Sequence, residues 1–184
     1  MSLPLNAGPR VLWLTGLSGA GKTTLSEALA RGLRARGEAV AVLDGDALRR
    51  GLCADLGFSP EARAENIRRA AEVARLMADA GLRVIVALIS PYRHERALAR
   101  GLFRPGEFAE VHVHAPLAVV EARDPKGLYA RARRGEIPQF TGIDAPYEAP
   151  EQPELRIDTA DCTVDEAVDR MLVLCQPAAG ADAA

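Results

Sequence analysis

The sequence predicts an α/β fold in which a parallel β-sheet is covered by helices on both faces. Short apolar runs alternate with longer segments whose apolar residues recur every three or four positions, as they do in amphipathic helices. The first three runs lack polar alternation, which is typical of strands buried on both faces of a parallel sheet. Because 184 residues suit one compact unit, we expect residues 1–184 to form a single domain.

The predicted elements follow one another in order. Strands are expected at residues 11–15, 39–43, 83–89, 110–113 and 155–158. Helices are expected from Thr23 to a stop at Gly37, from Pro60 to Gly81, after Ser90 and Pro91 as N-cap and first-turn proline, after Pro116, and over 164–174. The segment 124–153 is rich in Gly, Pro and charge and shows no clear period.

Composition and charge exclude several classes of protein. A net charge of −2 disfavours general nucleic-acid binding, and no apolar run is long enough to cross a bilayer. Residues 1–10 lack the pattern of a signal peptide, and three widely spaced cysteines fit a reducing cytoplasm. We therefore expect a cytoplasmic protein without nucleic-acid or membrane partners, and we expect the small-residue tail 176–184 to be frayed.

The strongest motif is the run 16–23, which reads GLSGAGKT and matches GxxxxGK[ST] in full. It lies between a predicted strand and a predicted helix, where backbone N–H groups and the helix N-terminus can bind phosphate. In such loops the lysine reaches the β- and γ-phosphates and the hydroxyl binds Mg²⁺. The motif predicts a three-layer sandwich of the P-loop NTPase type. The predicted ATP-binding residues are Gly16, Leu17, Ser18, Gly19, Ala20, Gly21, Lys22, Thr23 and Thr24, with Thr23 also binding the metal.

Polar residues follow the second strand, at the sheet edge where ligands of α/β folds bind. Asp44 and Asp46 are suited to accept a proton or to organise a metal's water shell; the alternative is an Asx turn or an N-cap for a helix starting near Ala47. Arg63 and Asn66 share one helix face, and a guanidinium suits phosphate or sulfate.

Three further positions leave alternatives open. Phe58 could stack on an aromatic ligand, but the residue alone favours a core position. Ser90 faces the same crevice, although an N-cap role is sufficient to explain it. The basic stretch 123–142 could close over phosphates as a lid, and its alternative is a solvated loop.

These motifs together resemble the adenylyl-sulfate kinase (APS kinase) family, over residues from about 12 to 159. The matching residues are 14–22 (LTGLSGAGK), 43–46 (LDGD) with Arg49, 55–59 (DLGFS) with Arg63, Glu65, Asn66, Ile67 and Arg68, 89–93 (ISPYR), 123–129 (RDPKGLY), 140–143 (FTGI) and 147–150 (YEAP).

The resemblance implies transfer of the ATP γ-phosphoryl group to the 3′-hydroxyl of adenylyl sulfate, giving 3′-phosphoadenylyl sulfate and ADP in sulfate activation. It implies Asp46 and Lys22 as catalytic residues, Mg²⁺ as metal, a homodimer, and ATP sulfurylase as a possible partner. The family's serine at Ser90 is described as a phosphorylated intermediate. We keep Ser90 as a candidate, but we expect direct in-line transfer. The implied substrate-binding residues are Asp44, Asp46, Arg49, Phe58, Arg63, Asn66, Ile89, Ser90, Lys126 and Phe140, with Phe58 and Phe140 sandwiching the adenine.

Two alternatives remain at this point. One is another small-molecule phosphate-loop kinase, acting on a nucleoside, a nucleotide or a sugar; the segments 44–46 and 140–142 argue against it. The other is a catalytically silent nucleotide-binding module that regulates a sulfurylase. Silent modules tend to lose the motif lysine or the acceptor carboxylate, and Lys22, Thr23 and Asp46 are all present here.

Overall fold

The computed structural model describes residues 8–176, and a parallel sheet lies at its centre. Its strands run in the order β2-β3-β1-β4-β5, and every neighbouring pair is parallel. This arrangement confirms the predicted parallel α/β sheet. The strands are β1 (Val11–Thr15), β2 (Val40–Asp44), β3 (Arg83–Ala87), β4 (Phe108–His114) and β5 (Leu155–Asp158).

Helices cover both faces of the sheet and make three layers. Leu12 and Leu14 of β1 point into the core under α1 and α7, whereas Val11 and Trp13 point into the core under α3 and α4. This alternation follows from the two-residue period of a strand. The helices are α1 (Lys22–Ala35), α2 (Gly45–Arg50), α3 (Pro60–Asp79), α4 (Arg93–Arg100), α5 (Leu117–Arg123), α6 (Leu128–Arg133) and α7 (Val164–Leu174).

Most of the predicted element positions are confirmed, with shifts at their ends. β3 ends at Ala87 rather than 89, and β4 extends over seven residues rather than four. The second strand is buried less than predicted, because β2 lies at the edge of the sheet. Leu43 is its one buried residue, and the other four are partly exposed.

The predicted N-cap role of Ser90 is wrong. The next helix begins at Arg93, after Tyr92. Ser90 instead has a left-handed backbone (φ 45°), and its hydroxyl accepts a hydrogen bond from the indole of Trp13 at 2.9 Å. Its carbonyl accepts from Arg96 at 2.6 Å. Ser90 therefore bonds Trp13 of β1 and Arg96 within α4, and it does not cap that helix.

The segment 124–153, which we call the lid segment, has more structure than its sequence predicts. It contains the short helix α6 and an isolated bridge between Thr141 and Ala145. Across residues 8–176, none of the helices combines the length and the apolar character needed to span a bilayer. The predicted frayed tail lies outside the described residues from 177 onward.

Candidate active site

The phosphate loop connects β1 to α1 and leaves the N-terminus of that 14-residue helix facing a cavity. Gly16 has φ 154°, and a methyl group added there would lie 2.1 Å from the carbonyl oxygen of Val113. Only glycine therefore fits at this turn. The first turn of α1, residues 22–25, carries no acidic side chain. The loop thus keeps its N–H groups and helix dipole available to an anion.

Lys22 folds back onto its own loop. Its ammonium donates to the carbonyls of Gly16 at 2.9 Å and Leu17 at 2.7 Å. Burial and the nearby charge of Lys126 lower the pKa of Lys22 to about 7. Phosphate oxygens near this ammonium would therefore strongly favour its charged form.

Thr23 and Asp44 place a hydroxyl beside a carboxylate. The Thr23 hydroxyl donates to Asp44 Oδ2 at 2.8 Å, while Asp44 Oδ1 accepts from the backbone N–H of Asp46 at 2.9 Å. Asp44 is therefore the N-cap of α2, as the alternative interpretation had it, and it also binds Thr23. A hydroxyl and a carboxylate are oxygen ligands that fit Mg²⁺, which is usually bound by one or two protein oxygens together with water and substrate phosphates.

Asp46 forms an ion pair with Lys126 of the lid segment, 80 residues away. Both side chains are about half exposed, at 56% and 49%. The lid lysine thus contacts the carboxylate that the family resemblance implies as the base or hydroxyl-orienting group.

Arg49 and Arg63 bring two positive charges into the cavity. The acceptors that these guanidinium groups meet among residues 8–176 are neutral: the carbonyls of residues 56–58, the Gln139 carbonyl and the Thr141 hydroxyl. Burial lowers the pKa of both groups, and the charge of Arg63 lowers the pKa of Arg49 further. Two close cations without a bonded carboxylate favour an anionic ligand.

Asn66 lies on the same face of α3 as Arg63 and is 6% exposed. Its Oδ1 is buried and has no hydrogen-bond partner among the described residues. Buried polar atoms are nearly always satisfied, so this oxygen favours a ligand that brings a donor.

Two phenylalanines line the cavity in different environments. Phe58 is 59% exposed, so its predicted core position is wrong; the guanidinium of Arg49 lies 4.3 Å from its ring centroid. Phe140 is 8% exposed, and its ring meets Tyr129 edge-on with centroids 5.0 Å apart. Ser90 is 2% exposed.

One cavity of about 1260 Å³ brings most of the predicted site residues together. All ten residues of the implied substrate site line it, as do Ser18, Gly19, Gly21, Lys22, Thr23 and Thr24. The loop residues Gly16, Leu17 and Ala20 do not line this cavity. Sequence reasoning missed a group at the end of β5 and the start of α7, which the strand-end rule would have found if applied to the fifth strand. These missed lining residues are Thr159, Cys162, Thr163 and Val164.

The fold and the motif at residues 16–23 define a nucleotide-binding protein of the phosphate-loop class. A sugar kinase from Janibacter shares this fold, with a TM-score of 0.64 at 22% identity over 90% of this chain and 94% of that one.

The sequence profile of the adenylylsulphate kinase family matches residues 8–158. The adenylyl-sulfate kinase of Marinobacter nauticus is 56% identical over 93% of this chain and 86% of its own length, and that of Aeromonas hydrophila is 60% identical over 89% and 83%. The APS kinase of Mycobacterium tuberculosis, solved in complex with AMPPNP and APS, superposes with a TM-score of 0.87 at 48% identity over 91% of this chain and 97% of that one. The chain belongs to the adenylylsulphate kinase family.

Proposed function

We propose that the chain transfers the γ-phosphoryl group of ATP to the 3′-hydroxyl of adenylyl sulfate, giving 3′-phosphoadenylyl sulfate and ADP. The observation that carries this proposal is that a phosphate loop and two arginines, which bond no carboxylate among the described residues, line the same cavity. Its volume of about 1260 Å³ exceeds the roughly 300–1,000 Å³ that is usual for one small ligand. The names of the relatives and the two ligands of the Mycobacterium structure support the same pair of substrates.

On the donor side, the phosphate loop would bind the β- and γ-phosphates through its N–H groups and the dipole of α1. Lys22 would exchange its bonds to the Gly16 and Leu17 carbonyls for phosphate oxygens. Its ammonium would then neutralise charge on the transferring group, where positioned cations contribute most.

On the acceptor side, Arg49 and Arg63 would bind the phosphate–sulfate group, and the Asn66 oxygen would accept from a donor on the nucleoside. Phe58 and Phe140 would hold the adenine between them. Arg63 also donates to Thr141, next to Phe140. Substrate binding and the position of the lid segment are therefore linked through one side chain.

The transfer step forms a bond between the acceptor 3′-oxygen and the γ-phosphorus and breaks the bond to the oxygen that bridges the β- and γ-phosphates. The acceptor proton passes to Asp46, and ADP leaves with the bridging oxygen. Before this step, the ion pair between Asp46 and Lys126 would break, so that Asp46 is free to accept the proton. Lys126 would then be available to bind the phosphates.

Thr23 and Asp44 would hold Mg²⁺, because they present a hydroxyl and a carboxylate at the foot of the phosphate loop. When bound, the metal ion supplies charge neutralisation on the β- and γ-phosphates. The lid segment would close over the cavity and exclude water from the reacting atoms.

The test of this proposal is ADP release with Mg-ATP and adenylyl sulfate in an Asp46→Asn variant. We expect turnover to fall by about 10²- to 10⁴-fold, the usual contribution of a general base. ATP affinity, measured by calorimetry, should persist because the phosphate loop is unchanged. Asp79→Asn is the matched control, since Asp79 lies in an exposed ion pair with Arg75 at the end of α3.

Near-normal turnover in Asp46→Asn would contradict the role assigned to Asp46. No turnover in the wild-type chain, with ATP still bound, would favour the silent regulatory module instead.

The homodimer and the association with ATP sulfurylase stay predictions. An APS kinase of Thiobacillus denitrificans, 36% identical over 93% of this chain and 29% of that one, is described as hexameric, with a TM-score of 0.70. Analytical ultracentrifugation and a sulfurylase pull-down check these two predictions separately.

A further inference from the structure

Tyr129 of the lid segment lies between the phosphate loop and the turn that carries Phe140. Its hydroxyl donates to the carbonyl of Ser18 at 2.9 Å, and its ring meets Phe140 edge-on at 5.0 Å. The whole side chain is only 2% exposed. One buried side chain therefore contacts both the loop that we assign to ATP and the ring that we assign to the acceptor.

The turn around Phe140 is held as a unit and also contacts the phosphate loop directly. The carboxylate of Asp144 accepts from the backbone N–H groups of Gln139 and Phe140. Leu17 of the phosphate loop packs so closely against Gly142 that a methyl group added there would lie 3.0 Å from Leu17 Cδ2. The phosphate loop therefore contacts the turn around Phe140 in two ways, through Tyr129 and through Leu17.

We propose that Tyr129 is a positioning residue that couples the two nucleotide sites, so that binding of ATP tightens the binding of adenylyl sulfate. Phosphates bound to the loop fix the Ser18 carbonyl, and Tyr129 fixes the Phe140 ring against it. The second ligand then meets a platform that is already ordered and loses less conformational entropy.

The chemistry of Tyr129 suits this role. Burial raises the pKa of its hydroxyl, and the negative charges of Glu121 and Asp124 raise it further. The group therefore keeps its proton and acts as a donor to Ser18. The Tyr129→Phe substitution removes the hydroxyl and with it this hydrogen bond, but it leaves the ring contact with Phe140 in place.

The proposal rests on the proposed function, and its test is a binding cycle on the full chain. Calorimetry gives the dissociation constant of adenylyl sulfate with and without Mg-AMPPNP, and their ratio is the coupling factor. We expect a factor of about fivefold or more in the wild type, within the usual range for coupled sites. In Tyr129→Phe it should fall at least about threefold, the effect of one buried hydrogen bond.

A graded series separates positioning from general stability. Tyr129→Leu removes the hydroxyl and the ring edge, so its coupling factor should approach 1. Tyr147→Phe is the matched control, because Tyr147 is another largely buried tyrosine, and its hydroxyl bonds Thr15 at 3.0 Å. Its coupling factor should equal that of the wild type, whatever the change in melting temperature.

Three results would overturn the proposal: a coupling factor near 1 in the wild type, an unchanged factor in Tyr129→Phe, or an equal loss in Tyr147→Phe. In each of these cases turnover with adenylyl sulfate would leave the proposed function standing. Failure of the wild-type chain to bind adenylyl sulfate under any condition would overturn the coupling and the proposed function together.

Discussion

The phosphate loop and the lid segment form two sides of one cavity, yet they are stabilised in different ways. The phosphate loop takes its shape from three of its own glycines, Gly16, Gly19 and Gly21, which have positive φ. Bonds from Tyr129 and Thr159 to its carbonyls come in addition. The lid segment is held by partners that are distant in sequence: Tyr129 bonds Ser18 across 111 residues, and Thr141 bonds Arg63 across 78.

This difference between the phosphate loop and the lid segment explains why the first can be predicted from sequence and the second cannot. A loop whose conformation depends on its own glycines and on the next helix can be recognised from eight consecutive residues. A segment whose conformation depends on remote partners has no local period to read. The loop should therefore tolerate fewer substitutions than the lid segment, for both activity and stability.

The largest expected difference is between the only two lysines of the chain. Lys22→Met should reduce turnover by about 10²- to 10³-fold, because a positioned cation at the transferring phosphoryl group is lost. Lys126→Met should cost only about fivefold, because a half-exposed charge contributes roughly 1 kcal/mol or less. Steady-state ADP release at saturating ATP measures both, and equal losses would remove the distinction between the two regions.

The second difference concerns stability at two glycines with positive φ. Gly16→Ala should lower the free energy of unfolding by about 3 kcal/mol or more, because the added methyl would collide with the Val113 carbonyl. Gly127→Ala, at φ 64° in the lid segment, should cost only about 1–2 kcal/mol of backbone strain. At that position the methyl would meet no described atom within 4 Å. Urea unfolding of both variants checks this, and similar midpoints would contradict it.

The smallest effect on turnover is expected at Ser90. Ser90→Ala leaves the Trp13 indole without its acceptor, which should cost about 1–3 kcal/mol of stability. Turnover should persist, because direct in-line transfer needs no phosphorylated serine. Trp13→Phe removes the donor of the same bond and is the comparison variant for stability. Complete loss of turnover in Ser90→Ala, with folding and substrate binding intact, would indicate that the serine takes part in the chemistry.

Ser90 also shows where prediction from sequence fails. The dipeptide Ser90-Pro91 fits a helix start, but Ser90 bonds Trp13, 77 residues away, and α4 begins only at Arg93. Residue type alone favours a core position for Phe58, but the side chain lies in the loop between α2 and α3 and is 59% exposed. The sheet, the phosphate loop and the polar strand ends were predictable because each depends on a local pattern. Tyr129 was within a recognised stretch, but its contact with Ser18 depends on the folded lid segment.

The most direct test of the account is ADP release by the full chain with Mg-ATP and a panel of acceptors. The panel compares adenylyl sulfate with AMP, adenosine, the 3′-deoxy form of adenylyl sulfate and no acceptor. We predict turnover with adenylyl sulfate alone, and inhibition by the 3′-deoxy form, which binds but offers no 3′-oxygen. Turnover with the 3′-deoxy form, or a clear preference for another acceptor, would contradict the assignment of the 3′-hydroxyl as the group that is phosphorylated.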